Sequence, residues 1–556
     1  MRGLAEIHPS LCTSITVANG RSLMSIADVV RTAADRYGPA TAIEDSRGTR
    51  TFTELSDRAH ALAGGLHGLG VAMGSRVVVL LGNSVAAVEV DLALAIGGFV
   101  RVSLNPRVGP VDWERVVRDC VPDALIVDPR IDGAAEFAAR TTSTVITVDP
   151  ISSAGSSLEE LATGVADHVE MPTPEPDSLC ALHYSSGTTG VPKGAERTHA
   201  NRLASLAAMR DQVLADTLDG ADPAVFLHAG PVIHTSGLFV LPFLEAGGRQ
   251  VLLDHVGPAG LIDAVEAHAA THTALVPTVI ARLLDFDDDR LSVMRRLRML
   301  AYAGAPMPVE HIRQAYHRIT PELVQYYGMV EAIPPLTVLT AADHRRGVID
   351  NADLLGSVGR ACPAAAIVIG GHGDPVPDGE IGEIVVAGPA VSPGYHKAGT
   401  RTDLGKSHVD GRLYSGDLGY RDPDGYIHLT GRSKDMIITG GYNVYPREVE
   451  EAIAAIPGVD DVVVVGLPDE VWGQRIVAAY TSAAGTRVEG DVVLAESRTR
   501  LPDYKRPKAA HRVDRLPLTA LGKVDRAAAA TLLDALVRAA SSTHTSTYSS
   551  PIEDSQ

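Results

Sequence analysis

The residues best suited to chemistry lie in one loop, residues 185–194, with the sequence SSGTTGVPKG. Its glycines allow the backbone to approach a ligand closely, and its backbone N–H groups, hydroxyls and Lys193 can all face one anion. The apolar residues 179–182 come just before it, so we expect the loop to leave a buried strand. This combination predicts a polyphosphate site, with a Gly/Thr-rich surface turn as the alternative for so short a motif.

The loop differs from the common phosphate-binding loop of nucleotide hydrolases. That motif, GxxxxGK[ST], needs a glycine just before its lysine, and Pro192 occupies this position before Lys193. A P-loop NTPase is therefore disfavoured, and the other motifs of the chain have to identify the phosphate ligand.

The overall composition is that of a large globular protein with no preference for polyanions. A chain of 556 residues exceeds one ordinary core, so we expect about three or four structural units, and 45% apolar residues suit a globular protein. The formal charge of -19 and the lack of a basic run argue against nucleic-acid binding. Any anionic ligand must therefore be held by a local cluster of donors.

The cysteines and the apolar segments favour a reducing cytoplasm. Cys12, Cys120, Cys180 and Cys362 have no CxxC spacing, which argues against a disulfide framework or a zinc site. The N-terminus lacks the apolar core of a signal peptide. The most apolar region, residues 77–102, contains charged residues that a membrane span would not readily accept, so we predict a buried strand and helix there.

The elements that must position the loop follow an α/β pattern over most of the chain. Short apolar runs alternate with longer segments of helical period, as in a sheet covered by helices. The predicted strands include 77–81, 124–127, 144–148 and 274–276, and the predicted helices include 59–69 and 261–268. Beyond Leu413 closely spaced Gly, Asp and Pro residues predict β-hairpins, and a boundary is expected close to Gly431.

The last part of the chain has the pattern of a separate α+β module followed by a polar tail. Its predicted elements are helix 446–455, strands 462–465 and 476–480, helix 489–500 and strand 510–513. We therefore predict an α/β protein with a large N-terminal domain, residues 1–433, of α/β subdomains plus a β-rich subdomain. A small α+β C-terminal domain follows at 434–540, and the Ser/Thr-rich residues 541–556 are predicted to form a disordered tail.

Further motifs follow the loop along the chain. They are THAN at 198–201, PVIHTSG at 231–237, YAGAPMP at 302–308, QYYGMVEA at 325–332, and then YSGDLG, TGRSKDMI, GGYNVYPREVE and LPLTALGK. With SSGTTGVPKG they resemble, in order and spacing, the adenylate-forming (ANL) superfamily of acyl-CoA synthetases, luciferases and peptide-synthetase adenylation domains, over roughly residues 51–526. The resemblance implies a cytoplasmic carboxylic acid:CoA ligase with a mobile C-terminal domain and a hydrophobic acid as substrate. Such an enzyme joins the acid to AMP from ATP with Mg²⁺, releases pyrophosphate, and then transfers the acyl group to coenzyme A.

The resemblance also implies roles for the residues of the nucleotide site. Glu331 would act in catalysis as a ligand of Mg²⁺. The residues implied to bind the phosphates are Thr188, Thr189, Gly190 and Lys193, those at adenine are Gly304, Ala305, Pro306 and Tyr327, and those at ribose are Asp417 and Arg432. Without the motifs these residues would be interpreted as core packing, turns and solvated charges.

The remaining implied roles concern the acyl group and the moving domain. Lys523 would reach the reacting carboxylate during adenylation, Lys434 would act as the hinge, and Gly440 and Gly441 would line a tunnel for coenzyme A. His234 would be a catalytic gate beside the acyl carboxylate. The implied acyl pocket consists of His234, Thr235, Gly237, Leu238, Tyr302 and Ala303.

One residue departs from the pattern of the superfamily. The family has YGxTE where this chain has Val330 before Glu331, so a threonine hydroxyl that would contact the α-phosphate is absent. A hydrogen bond to a charged group contributes about 1.5–3 kcal/mol, so we expect adenylation to be the vulnerable half-reaction. The bulk of Tyr326, which could crowd the nucleotide slot, is a second open point.

Other functions stay open from the sequence. A variant limited to thioesterification would take a preformed acyl-adenylate, a stand-alone adenylation enzyme would load a carrier protein, and a non-catalytic relative would only sense nucleotide. The expected partners are therefore a small carboxylic acid or its adenylate, and coenzyme A or a carrier protein, with no nucleic acid and no membrane span. Monomer and homodimer both stay open.

Overall fold

Two units, each with its own core, make up the computed structural model. The first comprises Met1–Gly379, Ile384–Ser415 and Arg421–His428, and the second comprises Glu380–Glu383, Gly416–Tyr420 and Leu429–Gln556. The structure describes residues 15–16, 22–23, 25–141, 143–149, 156–163, 172–185, 193–220, 223–254, 256–363, 365–371, 374–397, 407–483, 485–519 and 524–545. The domain boundary after residue 433 stays a prediction.

Side-chain caps mark where several helices begin. The helices are α1 (Ile26–Tyr37), α2 (Phe52–Gly68), α3 (Val85–Ile96), α4 (Pro110–Cys120), α5 (Ala134–Ala139), α6 (Leu158–Thr163), α7 (His199–Ala208), α8 (Val240–Ala246), α9 (Pro258–Ala267), α10 (Pro277–Leu283), α11 (Asp288–Leu291), α12 (Val309–Arg318), α13 (Ala341–Ile349), α14 (Pro446–Ala454), α15 (Gly490–Arg500) and α16 (Arg526–Thr545). Thr51 and Glu54 form a capping box before α2, and Thr198 and Asn201 form one before α7. The THAN motif therefore has a structural role as the start of α7.

The strands belong to sheets in both units. They are β1 (Ile15–Thr16), β2 (Ser22–Leu23), β3 (Thr41–Asp45), β4 (Gly48–Thr51), β5 (Arg76–Leu80), β6 (Val100–Ser103), β7 (Ala124–Val127), β8 (Thr144–Thr147), β9 (Ser156–Ser157), β10 (Leu179–Ser185), β11 (Lys193–Thr198), β12 (Val225–His228), β13 (Arg249–Leu252), β14 (His272–Leu275), β15 (Met299–Tyr302), β16 (Leu323–Tyr327), β17 (Thr337–Leu339), β18 (Arg360–Ala361), β19 (Ala366–Gly371), β20 (Asp374–Pro375), β21 (Gly382–Ala387), β22 (His408–Val409), β23 (Arg412–Arg421), β24 (Ile427–Arg432), β25 (Ile437–Thr439), β26 (Tyr442–Val444), β27 (Val459–Asp469), β28 (Gly473–Ser482) and β29 (Ala509–Arg512).

Two large and mostly parallel sheets form the frame of the first unit. One has the order β11-β10-β6-β5-β7-β8-β9, and the other has the order β18-β17-β16-β15-β14-β12-β13-β3-β4. Parallel strands are buried on both faces, which explains why β5 and β7 are almost continuous apolar runs. Helices α2 and α3 contribute to the largest apolar core beside these strands. This architecture confirms the predicted α/β class.

The turn-rich region beyond Leu413 is β-structure, as its composition predicts. A further sheet has the order β20-β19-β21-β23-β22, and β24 pairs with β23. The turn between β23 and β24 contains Gly425, whose positive φ of 87° favours glycine.

The second unit contains an α+β module with two small cores. Its sheet has the order β26-β25-β28-β27, with β29 beside β28. Val464 in β27 packs with α14 and α15 on one face, whereas Val463 packs with α16 on the other. Alternation of side chains along a strand gives β27 these two apolar faces. The predicted helices and strands of this region are all present, with ends that differ by a few residues.

Two helices differ from the sequence prediction: α2 begins earlier than predicted, and α16 was not predicted. Helix α2 begins at Phe52 rather than near residue 59, because the capping box of Thr51 and Glu54 starts it earlier. Helix α16 runs to Thr545 and so includes the first residues of the segment predicted as a disordered tail. The rest of that segment lies outside the described residues.

The last features of the fold are its cysteines and its longest helices. The described cysteines Cys120, Cys180 and Cys362 are free and buried. Among the helices that the structure describes, none combines the length and the apolar character needed to cross a bilayer.

Candidate active site

A β-hairpin carries the predicted phosphate loop. Strands β10 and β11 pair antiparallel, with Ser185 opposite Lys193, His183 opposite Ala195 and Ala181 opposite Arg197. Residues directly opposite each other share a face of a sheet, so His183, Lys193 and Arg197 lie on the same face. The predicted phosphate ligands Thr188, Thr189 and Gly190 lie outside the described residues. Lys193 is therefore the part of the predicted site that the structure places.

Glu331 is held beside this hairpin by a tyrosine. Tyr395 forms a backbone bridge with Ala195 of β11, and its hydroxyl donates to Oε1 of Glu331 at 2.5 Å. The backbone O of Glu331 accepts from the N–H of Ser392 at 2.8 Å. The carboxylate that the motifs assign to magnesium is thus fixed next to the strand that follows the phosphate loop.

The loop that carries His234 is clamped to the sheet. Nδ2 of Asn83 donates to the backbone O of Gly230 at 2.8 Å, and Oδ1 of Asn83 accepts from the N–H of Val232 at 2.9 Å. The backbone approaches itself so closely that a Cβ on Gly237 would lie 2.0 Å from the O of Val232. The P-x-x-H-x-x-G spacing therefore reflects a tight loop that requires glycine at its end.

Buried polar side chains of the sheet hold the same loop through hydrogen bonds. Nδ1 of His228 lies 2.8 Å from Oγ of Ser236, and its Nε2 lies 3.0 Å from Oε1 of Gln250. His228 and Gln250 are fully buried, and burial lowers the pKa of His228 to about 4. A neutral histidine can donate at one ring nitrogen and accept at the other, so it links the loop to β13.

His234 contacts a second histidine. Its Nδ1 lies 3.4 Å from Nε2 of His183, and the two rings meet edge to face with centroids 5.4 Å apart. Burial, followed by the charge of Arg197, holds the pKa of His183 well below its usual range, so this ring is neutral at pH 7. His183 therefore supports His234 without adding positive charge beside it.

The predicted adenine and acyl residues at 302–306 divide between core and surface. The Tyr302 side chain is fully buried, and its hydroxyl lies 2.8 Å from Nε2 of His344. Gly304 has a φ of +90° and is exposed, as is Pro306, while Ala305 is half-buried. The aromatic side chain of Tyr302 thus belongs to the core, and its contribution to a pocket is limited to its backbone.

Tyr326 and Tyr327 point to opposite faces of β16. Tyr326 is buried, and its ring packs edge to face on Phe239 with centroids 6.2 Å apart. Its hydroxyl has no hydrogen-bond partner among the described residues. Because alternate residues of a strand face opposite sides, Tyr326 is directed away from the face that carries Tyr327. The strand geometry therefore gives no support for crowding of the nucleotide slot by Tyr326, a point that the sequence leaves open.

Asp417 and Arg432 meet in the second unit. Nε of Arg432 lies 2.9 Å from Oδ1 of Asp417, which is buried, while Arg432 is half exposed. Both residues were assigned to the ribose by their motifs, and the ion pair gives the carboxylate a fixed orientation. Lys434, the predicted hinge, lies two residues further in a single turn of 3₁₀-helix, Ser433–Asp435, and is exposed.

The glycines predicted to line the coenzyme A tunnel form an exposed turn between β25 and β26. Gly440 and Gly441 have φ angles of +56° and +82°. The N–H of Gly440 donates to the O of Trp472 at 2.8 Å, and a Cβ on Gly440 would lie 2.9 Å from the indole ring. Gly440 is thus required by close contact, whereas the space beside Gly441 is open.

Arg526 anchors the C-terminal motif through its side chain. Lys523 lies outside the described residues. Arg526, three residues later, donates through Nη1 to Oε1 of Glu450 at 2.5 Å and to the O of Val464 at 2.6 Å. Arg526 therefore fixes the start of α16 to the sheet and has a structural role in this motif.

The motifs miss several residues that shape the site. Asn83, His228 and Gln250 hold the His234 loop, and Arg197 binds the backbone of Val330. Their common signal is a strongly polar side chain in or next to an apolar strand, where a partner is needed. That signal predicts a hydrogen bond without identifying its partner.

Family models match both parts of the chain. The model described as AMP-binding enzyme matches residues 30–396, and the model described as AMP-binding enzyme C-terminal domain matches residues 448–523. The first match covers the hairpin of β10 and β11, the His234 loop and Glu331. The second ends at Lys523.

Individual relatives match over nearly the whole chain. A feruloyl-CoA synthase from an Amycolatopsis species is 36% identical, with 87% of this chain and 94% of the relative covered. The medium/long-chain-fatty-acid–CoA ligase FadD8 of Mycobacterium tuberculosis is 32% identical, with 86% and 85% covered. The crystal structure of ATP-bound MatB from Rhodopseudomonas palustris is similar with a TM-score of 0.80 and 30% identity, covering 92% of this chain and 98% of that chain.

Proposed function

The chain belongs to the AMP-binding enzyme family, and on that premise we propose that it is a carboxylic acid:CoA ligase that works through an acyl-adenylate. The observation that carries the proposal is the link between the phosphate-loop hairpin and Glu331. Lys193 begins β11, and Tyr395 binds both this strand and the Glu331 carboxylate. A lysine suited to bind phosphate and a carboxylate suited to bind a metal, from distant parts of the sequence, are thereby joined to one strand.

Adenylation is the first half-reaction. A carboxylate oxygen of the acid attacks the α-phosphorus of ATP, and pyrophosphate leaves. The cost is electrostatic, because negative charge accumulates around the α-phosphate. Lys193, with Thr188, Thr189 and Gly190 of the loop, would hold the β and γ phosphates, and Lys523 would neutralise charge where the acid and the α-phosphate meet.

The residues present fit a magnesium ion that arrives with ATP. Among the described residues no cluster of His, Cys, Asp or Glu could hold a metal by itself. Mg²⁺ at phosphates needs only one or two carboxylates, because substrate oxygens and water complete its shell. Glu331 offers one carboxylate, with Oε1 bound by Tyr395. When bound, the ion would neutralise phosphate charge, and Tyr395 would orient the carboxylate that holds it.

Thioester formation is the second half-reaction. The thiol of coenzyme A attacks the acyl carbon, and AMP leaves. His234, fixed by its loop and by contact with His183, is the residue that we assign to the wall where acyl carbon and thiol meet. The open turn of Gly440 and Gly441 suits the passage of a pantetheine arm, since it has no side chains. Movement about Lys434 would take Lys523 away from the reacting groups after adenylation and bring this turn to them for thioester formation.

The acid is proposed to be hydrophobic. The loop after His234 continues into Leu238 and Phe239, and Phe239 is fully buried against Phe226. Relatives that act on feruloyl and fatty acyl groups are consistent with an apolar acyl site. The proposed pocket residues remain His234, Thr235, Gly237, Leu238 and the backbone at Tyr302 and Ala303. A reducing cytoplasm, which supplies ATP and coenzyme A, remains the proposed compartment.

A two-stage assay tests the function. The full-length protein is incubated with ATP, Mg²⁺ and a panel of aryl and fatty acids, and acid-dependent exchange of labelled pyrophosphate into ATP is measured. Coenzyme A or a carrier protein is then added, and the acyl thioester is identified by mass spectrometry. We expect exchange with at least one hydrophobic acid and a thioester only on coenzyme A. A thioester formed from synthetic acyl-adenylate without any exchange, or formed only on the carrier, contradicts the proposal.

A pair of variants connects the assay to the hairpin. Lys193→Met removes the ammonium group that would bind the phosphates. It is expected to lower the rate of pyrophosphate exchange by about 10- to 150-fold, as for loss of a charged hydrogen bond. Arg115→Met, in an exposed i,i+3 pair with Asp112 on α4, is the matched control and should leave exchange unchanged. Equal rates for the two variants would argue against a role for Lys193.

A further inference from the structure

Arg197 is a buried arginine without a carboxylate partner. Its exposed fraction is 9%, and Nη2 and Nε donate to the backbone O of Val330 at 3.1 and 3.4 Å. No Asp or Glu of the described chain forms an ion pair with it. A guanidinium group taken out of water is costly unless an anion compensates it. Among the described residues this positive charge therefore has no carboxylate bound to it.

The carboxylates nearby compensate the charge of Arg197 only in part. Arg101 and Arg202 share the carboxylate of Asp91, with Nη2 of Arg202 2.8 Å from Oδ2. Burial, followed by the charge of Arg101, lowers the pKa of Arg197 to about 10, so Arg197 is still protonated at pH 7. The charge of Glu331 also acts on Arg197, but its Oε1 accepts from Tyr395 and the two residues form no ion pair. The three guanidinium groups of Arg101, Arg197 and Arg202 therefore outnumber the carboxylates of Asp91 and Glu331, and the neighbouring His183 is neutral.

Arg197 lies where the reaction is proposed to occur. It is on the same face of the hairpin as Lys193 and His183, about 13 Å along the strand from Lys193. Its other contact is Val330, which stands in place of the motif threonine and precedes Glu331. The guanidinium group therefore belongs to the face that carries His183, which lies between Arg197 and Lys193 along the hairpin, and it contacts the residue before the metal-type carboxylate.

We propose that Arg197 binds the reacting oxyanion of adenylation, which is the substrate carboxylate or the α-phosphate that it attacks. This inference rests on the proposed function. The motif threonine would donate one hydrogen bond at this point, and the side chain of Val330 donates none. The guanidinium group, fixed on the Val330 carbonyl, brings further N–H donors and a positive charge to the same place.

The step itself needs no proton from Arg197. A carboxylate oxygen bonds to the α-phosphorus, the bond from that phosphorus to the bridging oxygen breaks, and pyrophosphate leaves with the electron pair. Arg197 stabilises the negative charge that gathers on the oxygens around the α-phosphorus. In this way a cation compensates for the motif threonine that this chain lacks.

A purely structural role would not require an arginine. A neutral amide could donate to the Val330 carbonyl and would avoid the cost of a buried charge. A charged arginine at this buried contact is explained if a substrate anion binds to it during the reaction. Charge and backbone contact can therefore be separated by substitution.

Two substitutions of the full-length protein separate them. Arg197→Gln keeps a donor for Val330 and removes the charge, whereas Arg197→Lys keeps the charge. With an acid that the wild type accepts, we expect acid-dependent pyrophosphate exchange to fall by about 10- to 150-fold in the Gln variant. The Lys variant should lose less, and its activity serves as the test if the Gln variant does not fold. Thioester formation from supplied acyl-adenylate should change less than about threefold in both.

Kinetic constants identify the oxyanion. A rise in KM for the acid with little change for ATP indicates the carboxylate, whereas a fall in kcat at unchanged KM values indicates the α-phosphate, and either result supports the inference. Arg202→Met is the matched control, since it removes a buried arginine that has a carboxylate partner. It is expected to lower the melting temperature and to leave the KM for the acid within about twofold.

Three outcomes overturn the inference. One is a Gln variant that folds and retains exchange within about threefold of wild type, because the contact to Val330 then suffices. Another is a Lys variant as impaired as the Gln variant. Absence of acid-dependent exchange in the wild type contradicts the proposed function itself, and the inference falls with it, so the two failures are distinguishable.

Discussion

The loop of His234 and the turn of Gly440 are built in opposite ways. Side chains from three other segments hold the His234 loop, through Asn83 and through His228 with Gln250. The turn of Gly440 is exposed, and a backbone hydrogen bond to Trp472 is its described contact across the sheet edge. One region is fixed by buried polar networks, and the other is open.

The difference follows the chemistry that each region is proposed to perform. Bond formation at an acyl carbon needs atoms held to a fraction of an ångström, which buried and satisfied hydrogen bonds provide. Passage of a flexible thiol arm needs space and backbone without side chains. Exposed apolar groups surround the turn, with Ile438 at 52% and Tyr442 at 56% exposure. The loop proposed to take part in bond formation therefore belongs to the first unit, and the turn proposed to admit the thiol arm belongs to the second.

The largest expected effect comes from Lys523, the lysine that its motif assigns to adenylation. We expect Lys523→Ala to lower acid-dependent pyrophosphate exchange by about 10²- to 10³-fold, as for loss of a preorganised donor at a developing charge. Thioester formation from supplied acyl-adenylate should be retained. Measuring both half-reactions checks this, and equal loss in both would show that the lysine does not act in adenylation alone.

Gly237→Ala tests the rigidity of the His234 loop. The added Cβ would lie 2.0 Å from the O of Val232, so the loop must shift. We expect the free energy of unfolding to fall by about 1–3 kcal/mol and exchange to fall by roughly tenfold or more. Chemical denaturation and the exchange assay measure these. Gly260→Ala on α9, where the nearest atom would be 3.4 Å away, is the control and should not destabilise.

Acid should weaken the first unit through its buried histidines. Burial lowers the pKa of both His228 and His344 to about 4, against about 6.5 when unfolded. As the pH falls, these histidines therefore bind protons in the unfolded chain at a higher pH than in the folded protein. The stability that the neutral rings contribute above pH 6.5 is lost as the pH falls toward 4. The expected loss is up to about 1.4 kcal/mol per pH unit for each histidine.

Hydrogen exchange at pH 7 and pH 5 checks this expectation unit by unit. In the second unit, His511 is the histidine among the described residues whose pKa is lowered, and it is only partly buried. We therefore expect protection to decrease more in β12 and α13 than in β27 and β28. Equal decreases would remove the proposed contrast between the units.

The smallest effect is expected from Gly441→Ala. The backbone φ of +82° costs an alanine about 1–2 kcal/mol, although the space around it is open. We expect thioester formation to slow by about tenfold or less, with exchange unchanged. Gly485→Ala has a φ of +77° in open space of the same unit and reproduces the strain away from the turn. Equal rates for the two variants would argue against a role of the turn in thioester formation.

Much of the fold was predictable because its signals are local. Apolar runs, helical period and turn residues predict β5, β7, α9 and the C-terminal module within a few residues, and the family matches confirm the superfamily that the motifs indicate. Helix α16 was not predicted, because its apolar stripe of Ala529, Leu533 and Val537 is short and polar residues follow it up to Thr545. The roles of the individual site residues stay predictions.

The structural supports of the site could not be predicted. Asn83 binds Gly230 across 147 positions, and Arg197 binds Val330 across 133. No local pattern encodes such pairs, since any buried polar group only requires some partner. The bulk of Tyr326 raised a question about the nucleotide slot, and strand alternation directs it instead toward Phe239.

The amino-acid sequence by itself determined the order of the motifs, the type of each chemical group and the class of the fold. Those features depend on neighbours along the chain, where period and composition act. The tertiary structure decided which side chains share a face, which are buried, and which charge has no carboxylate bound to it among the described residues, as at Arg197. These depend on sheet register and long-range packing, which bring together residues that are far apart along the chain.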